Sequence, residues 1–126
     1  MELAEIGKNI LINCMNVKPG ENVLIVTDEK YAIGQALYQA AKLLKAEAML
    51  MTMPAREVSG QEPPAVVAAA MKAADVVICP MKTSITHTRA KIEAAEAGAR
   101  IATMPGITEE MFAMGAMTAD YSRVMA

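Results

Sequence analysis

The chain is 126 residues long, enough for one hydrophobic core and short of the length at which chains usually divide into two domains. Its 54% hydrophobic content rests on 24 Ala and 12 Met, with one Phe, three Tyr and no Trp, and its 21% charged residues sum to a net charge of -2, which excludes a chain too polar to fold. Lys and Arg are scattered rather than clustered, which argues against a nucleic-acid surface, and the longest uncharged stretches, such as Tyr31 to Ala41, fall far short of the ~20 apolar residues that span a bilayer.

At the N-terminus, MELAEIGKNI places Glu2 and Glu5 where a secretory signal would carry positive charge, so a cytosolic protein is expected. Cys14 and Cys79 share no short motif and are expected as buried free thiols. Leu3, Ile6, Ile10, Cys14 and Val17 recur at steps of three and four, the apolar stripe of a helix ended by Lys18-Pro19-Gly20. NVLIVT, residues 22 to 27, is a continuous β-branched run that predicts a strand covered on both faces. A helix follows from about Tyr31 to Lys45, then a strand at about Ala48 to Met53, an order that implies parallel pairing through a crossover.

PAREVSGQEPP, residues 54 to 64, reads as an exposed loop ending in Pro at a helix start. An Ala-rich helix from about Ala65 to Ala74, the apolar strand VVICP after Asp75, and the hydroxyl-rich stretch KTSITHT come next. The latter leads into a helix from about Thr88 to Ala97, with Gly98 in the position of a C-terminal cap. RIATMP, Arg100 to Pro105, predicts a fourth strand broken by Gly106. Ile107 and Phe112 then flank an N-capping Thr108 at the spacing of a hydrophobic staple, with Glu109 and Glu110 in the first turn. Thr118 and Asp120 resemble the opening of a further helix, so the chain reads as a truncated part of a longer protein. Most methionines are expected as core filler. The segment Met111 to Met117 is expected to stay poorly covered and to drive homo-oligomer formation.

Four apolar strands alternating with helices specify an α/β three-layer sandwich, with a four-stranded parallel sheet in the flavodoxin-like, Rossmann-like order 2-1-3-4. Any ligand site of such a fold lies beyond the C-terminal ends of the central strands. That places Thr27, Asp28, Glu29 and Lys30 opposite Pro80, Lys82, Thr83, Ser84, Thr86, His87, Thr88 and Arg89. A cation beside hydroxyls and helix N–H groups suits a phosphate or carboxylate, while the plainer reading is that the Ser, Thr and Asp cap helices. The lone His87 excludes any two-histidine metal motif, no cluster of metal-ligand type appears, and neither GxGxxG nor GxxxxGK[ST] follows a strand. A histidine in a helix's first turn more often faces solvent than acts as a base.

VKPGENVLIVTDEK, then ADVVICPMKTSITHTRAKIEAAEAGARIATMPGITEEMF and GAMTADY, resembles the N-terminal domain of the aminopeptidase T family of thermophilic metallo-aminopeptidases. THTRA, EAGAR and MPGITEEM, in this order and spacing, carry the specificity. The resemblance covers the whole chain, which corresponds to about the first third of a typical member. It implies a scaffold packed beside a downstream catalytic domain, in which Glu, His and Asp would hold two divalent metal ions that activate water. None of those ligand positions occurs in this chain, so no cofactor and no peptidase activity are expected of it alone. The same superfamily includes a ring-cleaving iron dioxygenase, so the parent reaction is not fixed by this region. Two other readings stand beside the scaffold: a module binding a small anion at the Thr27-Asp28 and Lys82-Arg89 loops, and a purely structural self-associating domain.

Overall fold

The sheet is built around two apolar central strands. In the computed structural model, which describes residues 3–112 apart from positions 14, 59, 84, 86 and 109, β1 (Asn22–Thr27) pairs in parallel with β2 (Glu47–Thr52) on one side and β3 (Val76–Met81) on the other. β4 (Arg100–Pro105) pairs in parallel with β3, giving the order β2-β1-β3-β4. The register sets Asn22 beside Glu47 and Val23 beside Val76. Helices α1 (Leu3–Asn13), α2 (Tyr31–Leu43), α3 (Ala65–Ala73) and α4 (Arg89–Glu96) fill the remaining layers. This is the α/β three-layer arrangement that the strand–helix alternation predicts. Among the described residues no helix is long and apolar enough to cross a membrane.

Because side chains alternate across a strand, each face of β1 and β3 feeds a separate core. Val23, Ile25, Val76 and Ile78 join Ala102 and Met104 of β4 against α1 and α2, and this layer takes in Leu11, Ile33, Leu37 and Phe112. Leu24, Val26, Val77, Cys79 and Met81 form the other layer with Val67 and Met71 of α3 and Ala90 and Ala94 of α4. The abundant alanines have a packing role: Ala36, Ala40 and Ala41 line the inner face of α2. A Cβ on Gly7 of α1 would stand 3.2 Å from the Ala36 carbonyl oxygen and 3.3 Å from the Ala40 Cβ, so the close approach of α1 to α2 depends on that glycine.

Several boundaries move. The stripe through Val17 overstates α1, which ends at Asn13; Asn16 takes a positive φ of 50°, and Val17 N–H donates to the Leu11 carbonyl as the chain turns. Met15 and Val17 are still buried in the same core, so the periodicity reported burial rather than helix. β2 begins one residue earlier than its apolar run, at Glu47, because Glu47 N–H donates to the Glu21 carbonyl ahead of β1. Gly98 (φ 108°) and Gly106 (φ 69°) occupy the positions expected of them after α4 and β4. Ile107 and Phe112 are both buried, while Thr108 Oγ1 accepts from Met111 N–H at 3.1 Å. Met15, Met53, Met71, Met81 and Met104 are buried, whereas Met49 and Met111 are 43% and 48% exposed. From residue 113 onward the Met111–Met117 segment lies outside the described residues, as do Cys14, Glu109 and the stub at Thr118 and Asp120.

Candidate functional site

Strand order reverses between β1 and β3, so the loops that leave their C-terminal ends diverge there and frame the crevice in which such folds bind ligands. Thr27, fully buried at the end of β1, donates its hydroxyl to the Pro80 carbonyl at 2.9 Å and ties the two strands where their ladder stops. Its methyl also fixes the seat of α2, because a Cβ on Gly34 would lie 3.1 Å from Thr27 Cγ2. Asp28 is the next residue and is 1% exposed. Its carboxylate accepts the backbone N–H of Lys82 at 2.9 Å to each oxygen, and that of Glu29 as well.

The amide that the loop after β3 would offer to a bound anion is therefore held by the chain's own anion. Lys82 itself is exposed, with Nζ 3.9 Å from Glu29 Oε2, a solvated pair worth roughly 0 to 1 kcal/mol. Thr83 Oγ1 is buried with no hydrogen-bond partner among the described residues. Ser84 and Thr86 lie outside the described residues.

The start of α4 repeats this pattern. Thr88 is its N-cap: Oγ1 accepts from Lys91 N–H at 3.2 Å and donates to the Ile85 carbonyl at 2.6 Å. The two donors that an N-cap leaves open in the first turn are taken by Glu62, whose carboxylate accepts from Arg89 N–H at 2.7 Å and Ala90 N–H at 3.1 Å. Arg56 Nε in turn donates to the Glu62 carbonyl at 3.1 Å. The negative end of this clip meets the positive pole of the helix dipole.

His87 and the Arg89 side chain are exposed, in an open cleft of about 680 Å³ bordered by Glu62, Ile92, Glu93 and Glu96. The structure thus brings Thr27, Asp28 and the Lys82 backbone together and sets His87 and Arg89 apart on the α4 surface. The sequence reads the loop that holds Glu62 only as exposed; the partners of Glu62 are 27 and 28 positions away, and no local spacing announces them.

A second cleft at this end, about 450 Å³, lies between the start of α2 (Lys30, Tyr31, Ile33) and Ile107-Thr108. Lys30, the N-cap of α2, makes no side-chain capping bond. Among the described residues no group of three or more His, Cys, Asp and Glu is placed to hold a metal ion. The Cys79 thiol is free and buried in the sheet, where desolvation pushes its pKa up to about 12, so it is inert rather than nucleophilic. At the opposite end of the sheet Arg100 bonds Glu21 and the Met15 carbonyl. The Arg100 hydrogen bond holds the Glu21 carboxyl below its ordinary value. No protein-family model and no curated protein matches the chain.

Proposed function

We propose that this chain is a non-catalytic scaffold and association domain, the N-terminal domain of an aminopeptidase T-like metallo-aminopeptidase, and that it releases no amino acid by itself. One observation carries the reading: two of the places where this architecture would present N–H groups to a substrate anion are filled from within, the Lys82 amide by Asp28 and the first turn of α4 by Glu62, which leaves the first turn of α2, without a side-chain cap, as the remaining one. Catalytic sites aim such donors at charge developing on the substrate; here they fasten loops to the fold. The stretches that carry the family resemblance also coincide with structural joints. THTRA contains the Thr88 cap, EAGAR the Gly98 turn, and MPGITEEM the Gly106 turn and the Thr108 cap. The resemblance puts the two divalent ions in a downstream catalytic domain, and the described residues offer no group of three or more His, Cys, Asp and Glu that would hold one.

The test is dialysis of the purified chain against cobalt or zinc, an assay for leucine release from a leucyl peptide, and thermal unfolding with and without inorganic phosphate. The expected result is no stoichiometric metal, no leucine, and no phosphate-dependent shift. Retained metal with leucine release would overturn the proposal. A saturable phosphate shift, which needs a ligand that prefers the native state, would replace it with the small-anion module at Thr27-Asp28 and Lys82-Arg89.

A further inference from the structure

The two long edges of the sheet differ. On β4 the centre is buried, Ala102, Thr103 and Met104 all being 4% exposed or less. Among the described residues no strand pairs with the outer edge of β2, and its sequence lacks the devices that normally protect an edge strand, such as an inward charge, a lysine or a mid-strand proline. Residues 48 to 55, AMLMTMPA, carry no charge. Met49 is 43% exposed, and a groove of about 620 Å³ wraps the edge, lined by Tyr38, Leu50, Met49, Met51 and Ala70 among others.

The direction of the backbone groups follows from the ladder. Glu47 N–H donates to Glu21 and Met53 N–H to Thr27, so the odd-numbered residues between them face β1. The even ones, Ala48, Leu50 and Thr52, turn both N–H and C=O outward. Ala48 and Leu50 set their side chains against the α1/α2 core and Met51 against the α3/α4 core, which places Met49 on the α3/α4 face with Met51.

We infer that this edge pairs with the β2 edge of a second copy of the chain, antiparallel about a two-fold axis through Leu50. The inference rests on the reading of the chain as an association domain and names the surface and the partner. In this register Leu50 faces Leu50 of the second copy, and Ala48 faces Thr52 in both directions. All three outward residues then exchange both of their backbone bonds, about six hydrogen bonds in all. A register shifted one way sets Thr52 against Ala46, whose N–H is already donated to the Ala41 carbonyl; shifted the other way it sets Ala48 against Pro54, which has no N–H, so each shift leaves an outward carbonyl of both copies without a donor. The symmetric register also puts Met49 of each copy opposite Met51 of the other on the less covered face, as a close non-hydrogen-bonded pair. Four flexible methionines thereby close the groove beside α3. The like charges stay apart, because antiparallel pairing sends the two Glu47 side chains to opposite ends of a strand roughly 20 Å long. The product is a continuous eight-stranded sheet.

The experiment is light scattering and sedimentation of the full chain over a wide concentration range, repeated on Met49→Lys, Thr52→Pro, Met114→Lys and Leu50→Cys. The parent should approach twice its 13.4 kDa mass. Met49→Lys and Thr52→Pro should raise the dimer dissociation constant by about tenfold or more while circular dichroism stays native, and Met114→Lys should have no effect. Leu50→Cys should form a disulfide-linked dimer on mild oxidation, since the paired Cα atoms at about 5.5 Å suit a disulfide, and the exposed Ile12→Cys on α1 should not. If Thr52→Pro unfolds the chain, the cross-link decides. A monomeric parent overturns the proposal whatever the peptidase assay returns. A dimer that ignores Met49→Lys, fails to cross-link through Leu50→Cys and yields instead to Met114→Lys also overturns it, and leaves the association reading standing with its surface elsewhere.

Discussion

Replacing Asp28 tests whether the crevice is a structural joint or an anion seat. In Asp28→Ala the backbone N–H groups of Lys82 and Glu29 lose their acceptor in a place where the carboxylate was 1% exposed. A hydrogen bond to a charged group contributes about 1.5 to 3 kcal/mol, and a stranded donor adds to the loss. The two bonds share one carboxylate and the donors are only partly buried, so their loss is less than additive, and a destabilisation of about 2 to 4 kcal/mol is expected. Asp28→Asn keeps one acceptor oxygen but turns an NH2 toward the second donor, and should cost about 1 to 2 kcal/mol. Urea unfolding measures both, with an unchanged m-value showing that the fold is kept. Acetate added to Asp28→Ala should recover part of the loss by occupying the vacated acceptor position, in proportion to its binding, and should do nothing to the parent. An Asp28→Ala variant within about 0.5 kcal/mol of the parent would refute the reasoning.

Leu24→Asp or Val77→Asp, each placing a carboxylate in a strand residue 2% exposed or less, should abolish cooperative folding, whereas Lys82→Ala and Arg89→Ala should change stability by roughly 0 to 1 kcal/mol; circular dichroism melts separate the two classes. Gly34→Ala should destabilise by about 1 to 3 kcal/mol despite its better helix propensity, because its Cβ would press on Thr27, a β-branched residue held in the buried strand by its bond to Pro80; a stabilised variant would show that α2 can shift. In a Cys14→Ser background Cys79, with its pKa raised to about 12 by burial, should react with a disulfide reagent only at the rate of unfolding, and a fast native reaction would contradict its placement. Glu21, whose carboxyl the Arg100 bond holds low, stabilises the fold above its unfolded value of about 4.5 and loses that contribution as pH falls through its lower folded value; Arg100→Ala should flatten the acid limb of the stability curve by about 1 kcal/mol or less.

Much of the architecture was legible in one dimension because the signals were local. NVLIVT, VVICP and RIATMP are apolar runs with turn residues beside them, and Gly98 and Gly106 stand where only a positive φ continues the chain. Thr88 and Thr108 cap helices within three residues of their own positions, and such spacings survive in any fold. Alternation of strand and helix then leaves few ways to order the sheet.

Tertiary structure alone decided what the polar residues at the strand ends do. Asp28 meets Lys82 across 54 positions and Glu62 meets Arg89 across 27, and both contacts exist only because parallel pairing brings separate loops to one end of the sheet. The sequence reads Asp28, Lys82 and Arg89 either as caps and solvated charges or as a ligand cradle; the fold turns the Asp28 carboxylate inward onto the Lys82 amide and leaves the Lys82 and Arg89 side chains exposed. The open edge of β2 has the same origin. EAMLMT reads as a strand like the others, and only the order β2-β1-β3-β4 leaves it at the border, with one row of backbone groups unpaired among the described residues. Local propensity selects an element, whereas its neighbours are selected by where the remaining chain can bury its faces.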